Sequence, residues 1–321
     1  MKKTLTMLCA AIASSALLLS AAQAQSTYPA KPVDVIVPWG AGGGADVMAR
    51  ILAKWLEADL KVPFPVVNLP GASGMIGLSR MVSQPADGQA IAILTGDSLM
   101  MAATPNPSFK LQDSTALAVL LRQPSGIFAP RNSRFKSWGD VVKELQANPP
   151  GRVTLGITGP NTADDLTARY LATKKVALTG IPYTKPGERY SAVLGGHVDL
   201  LYEQAGDVRN FIDSGDLKPL IFFASKRLPP PFADVPVSAE FGYEVLLPQV
   251  RAVLIKNGTD AQRMKVLTDS IERFVKSPEY IQFVDQQLAL PDSYMASGQA
   301  QPFLKSELEA LRKLLAAYAE K

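Results

Sequence analysis

The sequence predicts an α/β fold of two lobes, and three observations predict it. Val33 to Arg50 reads as a buried strand, a glycine-rich turn and an amphipathic helix. Strands and helices alternate up to about Leu121, and the alternation begins afresh at Val153. After an irregular stretch marked by Pro229-Pro-Pro231 and Pro236, the apolar strand Val250 to Ile255 crosses back. Even without its first 24 residues, a chain of 321 exceeds one ordinary core.

The first stretch is the candidate ligand seat. Val33, Val35, Ile36 and Val37 form a β-branched run that Pro38 ends. In the turn Trp39-Gly-Ala-Gly-Gly-Gly44, glycines 40, 42, 43 and 44 permit positive φ and close approach of a ligand to the backbone. The helix that follows aims unpaired N–H groups and its positive dipole end at the turn, so an anion fits there. A dinucleotide matches Gly40-Ala-Gly-Gly-Gly-Ala45, but the acid expected about 20 residues on is Asn68, at the end of strand Phe64 to Asn68. A P-loop phosphate needs Gly-Lys-Ser/Thr where Gly44-Ala45-Asp46 stands. A carboxylate held mainly by backbone N–H groups meets neither objection.

Lys2, Lys3, the apolar run Leu5 to Leu19 and Ala22-Gln-Ala24 predict a secretory signal peptide over residues 1–24, cleaved after Ala24. Nothing later in the chain reaches the roughly 20 apolar residues of a membrane span. Cys9, the one cysteine, lies in the signal without a lipid-anchor pattern, so the mature chain has no disulfide, cysteine metal site or thiol nucleophile. The one histidine, His197, begins a strand after Gly195-Gly196 and reads as solvated or turn-satisfied rather than catalytic. Removing Lys2 and Lys3 from 33 basic residues leaves 31 against 29 acidic, a net charge of about +2 that points to neither nucleic acid nor an anionic membrane. No cofactor or metal is expected.

After the seat, Met48, Ile51, Leu52, Trp55 and Leu56 form the stripe of a helix packed on a sheet, with Trp55 in the core. Pro70-Gly-Ala-Ser-Gly74 opens a second glycine-rich loop, and strand Gln89 to Leu94 runs into Thr95-Gly-Asp-Ser98. Loops of this kind share one edge of an open parallel sheet, where ligands bind. Strands Ala116 to Leu121 and Ile127 to Ala129 carry the chain across a domain boundary, and Ser137 caps a helix through Gln146. The second lobe then runs strand Val153 to Ile157, loop Thr158 to Thr162, a helix to Thr173, a strand and loop to Thr184, a helix to Gly195, strand Val198 to Tyr202, helix Gly206 to Ile212 and strand Leu217 to Phe223. Helices Asp260 to Lys276, Pro278 to Leu288 and Pro302 to Glu320 close the chain. There is no sequence repeat between the halves, only a similar architecture. Two α/β lobes behind an export signal describe a periplasmic binding protein with a hinged cleft.

Tyr28-Pro-Ala-Lys-Pro32, the Pro38 to Asp46 loop, Asn68-Leu-Pro-Gly-Ala-Ser-Gly74, Pro85-Ala-Asp-Gly88, Pro182-Tyr183, Leu194-Gly-Gly-His-Val-Asp199 and Asp234-Val-Pro-Val-Ser-Ala-Glu240 together resemble the Bug (TctC-like) family of tripartite tricarboxylate transporter receptors. The resemblance runs from about Tyr28 to the C-terminus. It implies a two-domain, type II-like Venus flytrap in the periplasm, acting as a monomer that delivers a small carboxylate to a membrane permease. It also implies that the loops at 38–46 and 158–162 grip one carboxylate through backbone N–H groups, hydroxyls and waters. The domains expected are 25–122 with 246–321, and 123–245. Ala45 stands where the family usually has threonine, Asp165 where it often has histidine, and the residues around Val250 and Arg251 are replaced.

The candidate ligand-binding residues are therefore Trp39, Gly40, Ala41, Gly42, Gly43 and Asp46 in the seat, Ser73, Thr95 and Ser98 on the same edge, Thr158, Gly159, Asn161 and Thr162 in the second loop, and Tyr202, Glu203 and Arg251. Asp46 serves the helix terminus or contacts a ligand-bound water. Thr95, Ser98 and Thr162 cap helices or bind. Asp199 reads as structural. Tyr202 and Glu203 end a strand facing the cleft, where Glu203 binds a ligand hydroxyl or amine or faces solvent. Arg251 must find a partner in its apolar strand: a hinge salt bridge, or the distal acid of a dicarboxylate, aliphatic or aromatic of the terephthalate kind. The competing reading, an exported hydrolase, lacks a G-x-S-x-G elbow, since Gly71-Ala-Ser-Gly74 is one residue short.

Overall fold

A computed structural model describes residues 28–317 except 149–150, 245–246 and 291. The expected signal peptide and its cleavage site, Cys9, the start of the returning domain segment at 246 and the end of the last helix at Glu320 lie outside those residues. Strand β1 (Asp34–Val37) leads into helix α1 (Gly44–Leu60), then β2 (Val66–Asn68), α2 (Met75–Ser83), β3 (Ala90–Thr95), α3 (Gly96–Ala103), β4 (Ser114–Gln123) and β5 (Ser125–Pro130). There follow α4 (Trp138–Ala147), β6 (Thr154–Ile157), α5 (Ala163–Thr173), β7 (Thr179–Pro182), α6 (Pro186–Leu194), β8 (Leu200–Gln204), α7 (Arg209–Asp213) and β9 (Leu217–Phe222). Strand β10 (Gln249–Lys256), helices α8 (Ala261–Phe274) and α9 (Pro278–Gln286), strand β11 (Met295–Ala296) and helix α10 (Ser297–Ala317) complete the chain.

The strands form two sheets, ordered β11-β4-β10-β3-β1-β2 and β7-β6-β8-β5-β9. Within each, three strands run parallel (β2-β1-β3 and β7-β6-β8), and the next strand, β10 or β5, pairs antiparallel to the third. The two sheets are built alike, β3 corresponding to β8 and β10 to β5. Only Pro124 separates β4 of the first sheet from β5 of the second, and β10 brings the chain back from β9.

Alternation along the strands fills both faces of each sheet, as strands covered on two sides require. In β1, Val35 and Val37 join a core with Leu52, Leu56 and Phe274, while Ile36 points to the opposite core with Leu78 and Met100. Trp55 is less enclosed than expected: it packs at the edge of this core, 5.9 Å from Phe274, with Nε1 donating to the Ser270 carbonyl. In the second sheet Phe128, Leu201 and Phe222 pack under α6 and α7, and Leu155 and Leu200 pack with Trp138 and Leu171.

Three boundaries depart from expectation. Strand β8 lies two residues later than predicted, which puts Glu203 inside it and its end at Gln204, with Asp207 just beyond. Pro302 sits inside α10 rather than opening it. The earlier start is anchored to β4, since Ala116 N donates to Gln301 Oε1 (2.6 Å) and Ser297 Oγ to the Ala116 carbonyl (2.7 Å). Helix α7 starts only at Arg209, because Gly206 is pressed against Gln287, whose Cα a Cβ there would meet at 2.5 Å.

The Ser137 cap is a reciprocal box, with Oγ accepting from Asp140 N (3.2 Å) and the Asp140 carboxylate accepting from Ser137 N (2.8 Å). Ser137→Ala should lower unfolding free energy by about 1 kcal/mol, the usual worth of such a cap. Urea denaturation checks this, and an unchanged midpoint contradicts it.

Candidate functional site

Helix N-termini from the two lobes face one cavity, and they are built to the same plan. Gly42 has φ 84° and Asn161 φ 58°, both left-handed, and the next residues, Gly43 and Thr162, are extended N-caps. Gly42 N donates to Asp46 Oδ2 (3.0 Å), and Asp46 pairs with Arg50 one turn on (2.9 Å). In the second lobe Asn161 N donates to Asp165 Oδ2 (2.7 Å), and Asp165 pairs with Arg169 (2.6 Å). These acids complement the helix dipole and hold each turn shut. Burial opposes ionisation of Asp46, yet hydrogen bonds from Arg50, Gly42 N and Asn68 keep its carboxyl below the usual range. Asn68 also donates to the Trp39 carbonyl (3.0 Å), so the residue that displaced a dinucleotide-binding acid secures the seat.

Across the cleft, each lobe sends an aspartate to the other's helix. Asp97, just beyond β3, accepts from Ala163 N at the start of α5 (3.2 Å) and from Gln249 Nε2 (3.1 Å). Asp207, just beyond β8, pairs with Arg251, and a Cβ on Gly44 at the start of α1 would strike both members of that pair. Gly43 meets Pro186 of α6, where a Cβ would come within 2.8 Å. The cavity between these contacts is small, about 50 Å³ open to water centres, where a single water needs about 10–15 Å³.

Of the expected residues, Trp39, Gly43, Thr95, Thr158, Tyr202, Glu203 and Arg251 line this cavity. Trp39 Nε1 donates to Thr95 Oγ1 (3.0 Å), which also accepts from Ser98 N as an N-cap (3.3 Å). The remaining expected residues do not line it. Ala41 and Gly42 face outward, and Asp46 is enclosed by Arg50 and Asn68. Gly40 approaches Lys185 and Pro186. Ser98 is buried, its Oγ donating to the Ser73 carbonyl (3.3 Å), and the Ser73 hydroxyl faces Gly159. Asn161 Oδ1 accepts from Arg169 (3.3 Å), and the Thr162 hydroxyl is spent on the Gly159 carbonyl (2.5 Å) and on Asp164.

Two further expectations are corrected. Gly43 has φ −86°, so its missing side chain matters for contact with Pro186, not for positive φ. Arg251, 2% exposed, is not a wholly free guanidinium for a distal acid: Asp207 takes Nη2 and Gln287 Oε1 lies 3.4 Å from Nη1, which leaves Nε alone without a hydrogen-bond partner among the described residues. Gln287 also accepts from Gln123 (2.6 Å) and donates to the Gly206 carbonyl (3.3 Å), so Arg251 belongs to a buried polar knot where the lobes join.

Sequence reasoning missed Asp97, Asp164, Pro186, Arg189, Tyr190, Gln204, Asp207 and Gln249, all in the cavity wall. Arg189 bonds Glu203 (2.5 Å), and the Tyr190 hydroxyl donates to the same carboxylate (3.1 Å). Asp164 caps its own loop, accepting from Thr158 N (2.5 Å), the Thr162 hydroxyl and Asp165 N (2.9 Å). Burial, reinforced by the charges of Asp164 and Glu203, pushes the Asp97 carboxyl up to about 7. Burial likewise raises Asp207 to about 6 against the pull of Arg251, and raises Asp164. His197 is exposed in the turn after α6, and Asp199 bonds Thr154 N (2.9 Å).

A model of the family described as "Tripartite tricarboxylate transporter family receptor" matches residues 48–318. The chain is 28% identical over 297 residues to Protein BugT of Bordetella pertussis, across 91% of this chain and 90% of that one. Among solved structures it is similar to one described as a periplasmic transporter, with TM-score 0.84 and 23% identity over 92% of this chain and 99% of that chain. It is also similar to MatC of Rhodopseudomonas palustris with bound malate, with TM-score 0.80 and 21% identity over 90% and 100%.

Two predictions follow from this geometry. Gly44→Ala should keep the lobes folded but hold them apart, giving a larger radius of gyration in X-ray scattering; an unchanged radius contradicts the contact. Asp97 and Asp207 have folded-state pKa values above the 3.8 of an ordinary aspartate. The folded protein therefore binds extra protons, and the stability this gives, full below about pH 4, is lost as pH rises to about 7. Asp97→Asn should flatten melting temperature against pH in that window, and parallel curves contradict the assignment.

Proposed function

Because the chain belongs to the tripartite tricarboxylate transporter family of receptors, we propose that it captures one small carboxylate between its lobes and passes it, unaltered, to the membrane permease of such a transporter. The protein works in the periplasm as a monomer. Its domains are 25–122 with 246–321, and 123–245, and they hinge where Gln123, Gln287, Arg251 and Asp207 meet. The observation that supports this reading is the pair of helix N-termini whose first turns line one cavity from opposite lobes, at Gly44 and Ala45 in α1 and at Asp164 in α5. Backbone N–H groups there hold an anion without a dedicated cation, and the ligand carboxylate takes the places Asp207 and Asp97 hold at the helix ends. Closure of the lobes over it excludes water and strengthens those hydrogen bonds.

A dicarboxylate gripped by Arg251 is the narrower form of this reading, since that guanidinium pairs with Asp207 and only its Nε lacks a partner among the described residues. The hydrolase reading gains no support, because His197 is exposed and absent from the cavity wall.

Purified protein should bind a small carboxylate at 1:1 in calorimetry and raise its melting temperature, with the ligand unchanged by NMR after prolonged incubation. Product formation at catalytic rates contradicts the proposal, as does a panel of small carboxylates that leaves the melting temperature unmoved.

A further inference from the structure

We infer that the receptor latches itself shut between ligands: Asp97 of the first lobe occupies the amide of Ala163 in the second, a donor the ligand carboxylate needs, so that each ligand binds by displacing an acid of the chain itself. This concerns the regulation of the cleft and rests on its reading as a carboxylate receptor.

Helices α3, α4, α8 and α9 each begin with an N-cap side chain that accepts from the helix's own first turn. Helix α5 has a residue of the same kind, Thr162, but its hydroxyl is spent on the Gly159 carbonyl and on Asp164 and does not cap the helix. A partner comes instead from the other lobe, where Asp97 Oδ1 accepts from Ala163 N (3.2 Å). Gln249, at the start of β10, aims that side chain: its Oε1 accepts from Gly96 N (2.5 Å) and its Nε2 donates to Asp97 Oδ2 (3.1 Å). Asp97 is thus held by its own lobe in a pose that serves the other.

The lobes meet around this contact at positions kept free of side chains. Of the four glycines in the first turn only Gly42 has a positive φ, and a Cβ there would find nothing within 4 Å. At the other three, atoms of the second lobe crowd the place of a Cβ: Lys185 and Pro186 beside Gly40, Pro186 beside Gly43, and Asp207 beside Gly44. On the second lobe a Cβ at Gly159 would lie 3.7 Å from Ser73 Oγ of the first. Three of the four glycines are therefore shaped for lobe-to-lobe contact, and the latched form is written into the sequence of the turn.

What remains of the cleft is about 50 Å³ open to water centres, the space of roughly three to five waters, so an organic acid larger than a few atoms enters only when the lobes part. Once inside, its carboxylate competes with Asp97 for one N–H at the positive end of α5. The latched and the liganded forms therefore exclude one another. A ligand that binds only the unlatched fraction of the protein has its apparent affinity reduced by that fraction. The latch thus sets the working affinity of the receptor without touching the ligand.

Two variants of the full chain, stripped of bound acids by unfolding, dialysis and refolding, test this. Asp97→Ala removes the acceptor. Ala163→Pro removes the donor at the first position of α5, where the fixed φ of proline fits and the preceding residue, Thr162, is already extended. With far-UV circular dichroism confirming that both are folded, each should show a larger radius of gyration in X-ray scattering than the stripped parent. In calorimetry with acetate, succinate, glutarate and benzoate, Asp97→Ala should bind at least one acid on the order of tenfold more tightly than the parent does. Ala163→Pro, which takes a donor from the ligand as well, should bind that acid more weakly than Asp97→Ala. An Asp97→Ala protein with the parent's radius, or with affinities equal to or below the parent's, would overturn the latch while leaving a carboxylate receptor standing. Equal tightening in both variants would place the ligand carboxylate elsewhere and overturn the competition. Larger radii in both variants with no acid bound by any of the three proteins would uphold the contact between the lobes and overturn the carboxylate reading.

Discussion

Everything in this cleft depends on the free N–H groups at two helix ends. A strand that feeds a helix through a tight turn leaves the first turn of that helix with donors that the helix itself cannot satisfy. In both lobes the turn follows the central strand of a parallel trio, so both sets of donors lie on the sheet edge that faces the other lobe. Each lobe supplies an aspartate inside its own turn, Asp46 or Asp165, and an aspartate for the opposite helix, Asp97 or Asp207. The outcome is a reciprocal arrangement in which the helix end of each lobe meets an acid of the other across the cleft.

Equivalence between the lobes also explains a charge pattern that looks contradictory in a receptor for anions. Duplicating the plan places acids on both sides of one small space, and the two arginines of the wall offset only half of them. The Arg251–Asp207 pair has a further duty at the junction of the lobes, where Gln123 and Gln287 link the strand crossing to α9. Breaking one member of such a pair leaves an uncompensated buried charge, at a cost of about 3–5 kcal/mol. Arg251 is therefore tied to the junction of the lobes as well as to the cleft wall.

Much of this was legible in the sequence. The run Val33 to Val37 followed by four glycines predicted the first strand, turn and helix, and renewed alternation after Val153 predicted the second sheet. Asn68, which stands where a dinucleotide-binding acid is expected, donates through its amide to Asp46 and to the Trp39 carbonyl. The misses have local causes. In Thr95-Gly-Asp-Ser98 the hydroxyls drew attention, yet they are used in capping while Asp97 crosses the cleft. Placing β8 two residues early hid Asp207 beyond its expected end. Glycine 43 was read through backbone freedom when the constraint is steric, and only the approach of Pro186 reveals it. Arg189 had no signal, because its importance comes from Glu203, 14 positions away and on another element.

The central claim is that one carboxylate engages both helix ends at once. Amide NMR during ligand titration tests it most directly, followed at Gly44 and Ala163. The account predicts that both amide resonances shift along the same binding curve and saturate together at one equivalent. A ligand that saturates the protein while both amides stay still, or that moves one on a different curve from the other, would contradict it.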